Sequence, residues 1–444
     1  MEAPLVQKND MVVISADDHI CEPPDMFDNV LSGELLASAP KNRTDKNGNN
    51  YWTYQGHIRP LIGLNAVVGR PYEEYGMEPS SFEQLRKGCY DVHARIDDMD
   101  VNGIAASMCF GNSIGFDGQT FHKAPDKKLA LRHLQAYNDW HYDEWCMKYP
   151  GRFIPLGILP TWDMDATVAE IHRLSKKGFH TISMNENPTV QGLPSIHNEY
   201  WTPFFKALAD TDMTSALHIG SGNPAPHSSM ESPIEAWIST MPLSVAQGVA
   251  DWSQLKALHD HPKLRIAISE GSIGWVPYLM ERADFANNRH KAWTHSLFQD
   301  LKPSEIMRRH FLHCFLHDPY GLRNLKDVGE EMVAFEVDYP HSDAVWPDAP
   351  EQLWEQARNL TDEQIEKISH LNAIRFFRFD DMFKNFKREE LTVGALRAKA
   401  EAKGVDVTPK SSGGARPSAD MHPVTSGDIF AMSKRHAEGR TADT

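Results

Sequence analysis

Long apolar runs are missing from this chain. No stretch approaches the roughly 18 consecutive apolar residues of a membrane helix, so no span is expected and an anionic membrane surface is not a natural partner. The opening MEAPLVQKND carries no basic-plus-apolar leader pattern, which leads to the expectation of a cytoplasmic protein. Cysteine is scarce: Cys21, Cys89, Cys109, Cys146 and Cys314 are five among 444 residues, and none forms a CxxC pair. An odd, scattered set fits reduced thiols better than a disulfide framework. Positive charge is in deficit, with 45 Lys and Arg against 61 Asp and Glu, a net charge of −16. That balance argues against nucleic acid as a partner, because phosphate backbones require basic patches. No glycine-rich phosphate fingerprint follows any apolar run, which removes the main dinucleotide-binding signal, and no internal repeat is visible.

What is present is a large core and a regular alternation. Hydrophobic residues make up 41% and aromatics 10% of the chain, enough for one α/β domain of barrel size with insertions. Met11 to Cys21, MVVISADDHIC, reads as strand 1, and Glu22-Pro23-Pro24-Asp25 breaks it. Residues 28–90 hold Tyr51, Trp52, Tyr54, Tyr72 and Tyr75 without a sustained period. They read as an inserted subdomain or functional long loop. A short helix at 93–100 precedes strand 2 at 103–110, and a long amphipathic helix spans 127–149. Strands 3 to 6 fall at 152–160, 179–184, 214–219 and 264–270, with helices at 163–177, 201–209, 245–259 and 275–285 between and after them. Residues 310–316 give a weak strand 7, and 332–338 give strand 8. Helices at 350–359 and 362–379 close the pattern, the latter opened by a Thr361–Gln364 capping box. Eight strands alternating with helices predict a (β/α)8 TIM barrel over residues 1–385, with the insertion at about 28–90. Residues 386–444 are expected to form a C-terminal helix and a Ser/Gly/Pro-rich flexible tail; Phe430 and Met432 hint that this tail docks, either here or on a neighbouring subunit.

A barrel gathers its chemistry at the carboxyl ends of its strands, so the polar residue ending each strand is a candidate. In strand 1, Asp17 and His19 lie two apart and share a face, an oxygen and an imidazole suited to one divalent metal. Later strands end in Asn185 and Glu186, His218, Glu270, His317 and Asp318, and Asp338 with His341 just beyond. Burying several carboxylates together is costly unless a cation neutralises them. Trp275 and Trp346 read as packing residues rather than substrate platforms.

SADDHICEP, LHIG, SEGSIGWVPYLMERAD and DYPHSD, across residues 11–380, jointly resemble the amidohydrolase superfamily, in its aminocarboxymuconate-semialdehyde decarboxylase-like branch. The resemblance implies metal ligation by Asp17, His19, His218 and Asp338, with Asp338 also handling protons. The family decarboxylases carry a proton-shuttling histidine on strand 6, where this chain has Ser269-Glu270-Gly271. Glu270 therefore either replaces it as acid/base or joins the metal cage, with His341 as a second proton carrier. No lysine occurs in 179–186 to be carbamylated.

The missing histidine shifts the expectation to hydrolysis of an ester, thioester or amide of a bulky, partly apolar substrate by metal-activated water. The alternatives are non-oxidative decarboxylation of an aromatic or unsaturated acid and a metal-stabilised, non-catalytic binding protein. Zinc, iron and manganese all suit the ligand set, with one or two ions per chain, and the family resemblance implies a homodimer. The insertion aromatics and the loop at 220–233 are expected to line the mouth around a small-molecule substrate.

Overall fold

Parallel pairing dominates the computed structural model, which describes residues 6–297, 300–419, 422–438 and 440. Positions 1–5, 298–299, 420–421, 439 and 441–444, at the edges of the expected barrel and in the expected tail, lie outside the described residues. The strands are β1 Ile14–Ile20, β2 Lys41–Thr44, β3 Asn50–Tyr54, β4 His57–Arg59, β5 Ala106–Gly111, β6 Phe153–Ile154, β7 Leu156–Gly157, β8 Thr181–Met184, β9 Thr214–His218, β10 Arg265–Ser269, β11 Phe311–Phe315 and β12 Val333–Phe335. One sheet runs β1-β5-β6 and a second runs β12-β11-β10-β9-β8-β7, all pairs parallel. Pro155 separates β6 from β7; it has no N–H for the ladder, so one strand position splits in two.

The residues after β12 join the first edge to the last. Glu336 N donates to Phe315 O at 3.1 Å, Asp338 N to Asp17 O at 2.9 Å, and His19 N to Tyr339 O at 2.6 Å. The result is an α/β fold of parallel strands consistent with a TIM barrel. Small and aliphatic side chains, among them Ile14, Ala16, Ala106, Ala216, Ala267, Leu312 and Ala334, fill an inner cluster. Their strand neighbours Val13, Leu217, Ile268, Phe311 and Phe335 face the outer cluster beneath the helices. This is the alternation that strand geometry imposes.

Several elements differ from the sequence expectation. The 28–90 segment contains an antiparallel sheet, β2-β3-β4. Its turns are Asn47-Gly48 and Gln55-Gly56, with positive φ at Gly48, Gln55 and Gly56, the chemistry of tight hairpins. The expected helix 127–149 is α-helical over Lys127–Trp140 and then widens into a π turn at His141–Trp145. Residues 245–259 split into Leu243–Trp252 and Lys256–Asp260. The helix after β10 runs Val276–Thr294, well past residue 285. Beyond 385, helices occur at Val393–Lys403 and Ser426–Ala437, and Phe430 stacks on Trp237 with centroids 5.7 Å apart.

Candidate metal centre

A bulge in β1 builds the site. Ser15 pairs with Ser107 and Asp18 with Cys109, so three steps on β1 oppose two on β5. Ile14 and Ala16 face the inner cluster, and strict alternation would send Asp18 in after them. The extra residue instead brings Asp17 and His19 inward, where the His19 ring meets Phe110 and Phe116 of that cluster at 5.9 and 4.9 Å. Asp18 turns to the outer side and accepts from Ser107 Oγ, from Ser15 Oγ at 3.0 Å and from Tyr339 N at 2.9 Å. Burial pushes its carboxyl up to about 6 despite Arg95 nearby.

Four strand ends then converge. His218 Nδ1 lies 2.6 Å from the Ile219 carbonyl; donating there orients the ring so that Nε2, once its proton is displaced, is the nitrogen that would bind a metal. That Nε2 lies 3.1 Å from Asp17 Oδ2 and 3.2 Å from His19 Nε2. His19 Nε2 lies 3.2 Å from Asp338 Oδ1 and 3.6 Å from Asp17 Oδ1. His341 Nδ1 is 2.8 Å from Asp338 Oδ1, and its ring lies 3.9 Å from that of His19. Asp17, His19 and His218 form one group, and His19, Asp338 and His341 another, each with its ligand atoms within 4.8 Å of one another. Asp17 and Asp338 are fully buried, and neither oxygen of either has a conventional hydrogen-bond donor beyond these imidazoles. Orphaned carboxylate oxygens facing imidazole nitrogens in a buried cluster are what a divalent cation satisfies.

Glu270 stands at the rim, its carboxylate 3.6 Å from His218 and its side chain 16% exposed. Its backbone, like those of Ser272 and Asp338, has positive φ, at 58°, 56° and 59°. Left-handed backbone at three non-glycine residues is strain concentrated beside the site. Sequence reasoning missed Glu336, which lies two residues before Asp338 on the same face. Its Oε2 accepts from Glu270 N at 3.1 Å, while Oε1 is unpartnered. The period-two pattern of AFEVD was the available signal.

The electrostatics follow from crowding. Burial first, and then neighbouring acids, push Glu270, Glu336 and Asp338 well above the usual carboxylate range. Burial lowers the His19 imidazole, with His341 and His218 adding to the effect. Burial also pulls His341 down to about 4. For His218, burial is outweighed by the Asp17 and Glu270 carboxylates, which raise it to about 10.

Other candidates serve the scaffold. Asn185 donates to Ser221 O at 2.6 Å and accepts from Asn187 N at 2.8 Å, shaping a loop. Glu186 receives Asn223 N at 2.7 Å and Gly222 N at 3.2 Å, and burial pushes it up to about 7. Asp318 caps the turn at Gly321 and holds Ile273 N and Gly274 N at 2.8 and 2.6 Å, while His317 is exposed. Trp275 donates to Gly271 O and Trp346 to Asp98 O, as packing residues do.

A cavity of about 290 Å³ is lined by Trp52, Tyr54, Arg59, Leu64, Asn112 and Ser113 among others. Leu64 of the insertion, which also lines this cavity, packs against the inner cluster that includes Phe116. The 220–233 loop, expected to share that role, does not line this cavity.

A family model described as amidohydrolase matches residues 95–379. The 2-amino-3-carboxymuconate-6-semialdehyde decarboxylase of Dictyostelium discoideum is 22% identical over 303 residues, covering 67% of this chain and 80% of that protein. Among solved structures, an amidohydrolase of Mycobacterium avium subsp. paratuberculosis K-10 aligns with TM-score 0.61 at 18% identity, covering 82% of this chain and 99% of its own. The 5-carboxyvanillate decarboxylase of Novosphingobium aromaticivorans, complexed with manganese and 4-hydroxy-3-methoxy-5-nitrobenzoic acid, aligns at 0.58 and 20% identity, covering 85% and 99%. Both relatives whose names specify a reaction are decarboxylases. Among the described residues no helix is long and apolar enough to cross a membrane.

Proposed function

Because this chain belongs to the amidohydrolase family, we propose that it is a metal-dependent, non-oxidative decarboxylase of an aromatic or unsaturated carboxylic acid. Hydrolysis of an ester, thioester or amide, the leading expectation from the sequence, is overturned by the decarboxylase relatives. The physical reason is that the missing strand-6 histidine does not remove the proton donor. The carboxyl of Glu270 occupies that strand end 3.6 Å from His218, and burial first and Asp338 second push it well above its usual range, which favours its acid form. A carboxyl at the end of β10, at the rim of the metal cluster and 3.6 Å from His218, is the observation that carries the reading.

Asp17, His19, His218 and Asp338 would hold one divalent ion, with manganese favoured by the mixed carboxylate–imidazole set and by the Novosphingobium relative. When bound, the ion supplies a Lewis acid that anchors the substrate's oxygen atoms and neutralises the acids around it. Glu270 delivers its proton to the carbon that bears the carboxylate. The bond from that carbon to the carboxylate then breaks, its electron pair restores conjugation, and carbon dioxide leaves. The Glu270 carboxylate regains a proton from solvent at the rim. His341, neutral near pH 7, has Nε2 free to accept a hydrogen bond from a substrate hydroxyl. Arg59 has no ion pair within bonding distance among the described residues and lines the cavity under the insertion, a place suited to a substrate's anionic group. The catalytic unit in this reading is residues 1–385, with 28–90 as its roof and 386–444 as an appended strap.

The test is carbon dioxide release from phenolic and conjugated carboxylic acids by manganese-loaded protein in deuterium oxide. One deuterium should appear at the vacated carbon. Glu270→Gln should retain its metal and lose about 10²- to 10⁴-fold in rate. Ester or amide turnover without carbon dioxide, or full activity in Glu270→Gln, would sink the proposal.

A further inference from the structure

Among the described residues, Leu64 is the only apolar side chain on a left-handed backbone, at φ 35°, and Asn65 follows it at φ 64°. Asparagine tolerates that conformation through its short polar side chain. Leucine does not, and a bulky residue there is a strained outlier. Such strain persists only where the surroundings over-determine it, and around this turn they do. Both carboxylate oxygens of Glu78 accept from Asn65 N, at 3.1 and 2.9 Å. Asn112 Nδ2 donates to Gly63 O at 3.3 Å. Asn65 Nδ2 donates to Ser342 Oγ at 2.5 Å, and Val67 N and Val68 N both donate to Pro340 O, at 3.0 and 3.2 Å. The turn is thereby fastened to the segment that carries Asp338 and His341.

Glycine would take this backbone at no steric cost, so the conformation alone does not call for leucine. The side chain does. Ile62, Ala66, Val67 and Val68 on either side are buried in the core. Leu64 is only partly buried; it lines the cavity of about 290 Å³ and packs against the inner cluster. Phe116 of that cluster stands 4.9 Å from the His19 ring and 4.2 Å from the His218 ring. The strained residue therefore presents an aliphatic surface between the cavity and the metal centre. Backbone strain retained at such a place is a signature of function rather than of packing.

We propose that Leu64 is a specificity-determining residue, an apolar wall held in a strained turn so that its side chain meets the ring of the bound carboxylic acid and limits the bulk that ring can carry. The class of ligand rests on the decarboxylase reading above; the placement of the wall does not.

Two probes and two variants test it. The single-ring acid 2-hydroxybenzoate and its bulkier 3-phenyl derivative are titrated calorimetrically into manganese-loaded wild type, Leu64→Gly and Leu64→Ala. Leu64→Gly should bind 2-hydroxybenzoate about tenfold more weakly, because a leucine no longer covers the ring. The ratio of the two dissociation constants should shift at least tenfold in favour of the 3-phenyl acid. Leu64→Gly should also melt above Leu64→Ala, because glycine relieves the left-handed strain that alanine keeps; a leucine on a relaxed backbone gives the reverse order. Carbon dioxide release by the wild type is scored separately and bears on the reaction alone. An unchanged ratio of dissociation constants overturns the inference, as does a wild type that binds neither acid. A Leu64→Gly protein that melts below Leu64→Ala overturns the strained turn on which it stands.

Discussion

Chelation is the perturbation to which this site should respond most distinctively. Asp17, Glu270, Glu336 and Asp338 share one pocket, and Glu270, Glu336 and Asp338 are pushed well above the usual carboxylate range, by burial first and by one another second. In the unfolded chain such groups titrate near pH 4. An acid with a raised folded-state pKa holds its proton in the fold, so its stabilising contribution is fully present below about pH 4 and is lost as pH rises through the folded value. Each proton so retained changes stability by about 1.4 kcal/mol per pH unit. A chain of 444 residues has an unfolding entropy of about 0.9 kcal/mol/K. One retained proton therefore lowers the melting temperature by about 1.5 °C for each pH unit over which it is retained. A divalent ion at a hundred times its Kd adds about 2.7 kcal/mol, about 3 °C, and displaces the proton of its ligand Asp338 while leaving that of Glu270 in place. The metal-free protein should melt lower at pH 8 than at pH 5, and manganese should flatten that slope. Differential scanning calorimetry with chelator and with manganese measures both. Other buried acids, such as Glu78 and Glu186, slope in the same direction with or without metal, so the difference between the two curves is diagnostic. Identical slopes would refute the placement of a cation among these carboxylates.

Two further outcomes follow from the scaffold. Glu78 receives Asn65 N on both oxygens at 3.1 and 2.9 Å, and burial pushes it from 4.5 up to about 7. Glu78→Gln should therefore stabilise the protein by up to about 3 kcal/mol above pH 7 and lose that advantage by pH 4.5, as read from melting temperatures at the two pH values. A methyl added at Gly88 would sit 2.2 Å from Asp98 Oδ2 and 2.7 Å from Tyr339 Oη. Gly88→Ala should cost about 3 kcal/mol by overpacking, measured by urea unfolding, and an unchanged midpoint would contradict the packing described around Tyr339.

The strand ends were the most legible part of the sequence. Short apolar runs stopping at a carboxylate or imidazole can be read directly, and Asp17, His19, His218, Asp338 and His341 do converge. Glu336 was hidden because a carboxylate inside an apolar run was read as part of the strand, although its spacing from Asp338 placed it on the same face. The shared face of Asp17 and His19 was read from their spacing, but the bulge between Ser15 and Asp18 that turns that face inward was hidden, being a feature of pairing with β5. In the insertion, β2-β3-β4 lacked long alternation, and its signal lay in the turn glycines Gly48 and Gly56. The helix 276–294 was cut short for a related reason. Its outer half has no core-facing apolar stripe, so hydrophobic periodicity stops where the core stops, near residue 285.

The reaction class failed at one position for an instructive reason. The absence of histidine at the end of β10 was weighed against decarboxylation, although Glu270 had been named as its possible acid/base replacement. An exposed glutamate is ionised at neutral pH and would be a poor acid. Glu270, however, is placed against His218 and among the buried Asp17, Glu336 and Asp338, and its backbone N–H is tied to Glu336. There the charged form is disfavoured, by burial first and by the neighbouring acids second. A carboxylic acid so held can perform the step that an imidazolium performs in other members of the family. That property belongs to the assembled pocket, since the groups responsible for it are contributed by β1, β9, β10 and the segment after β12.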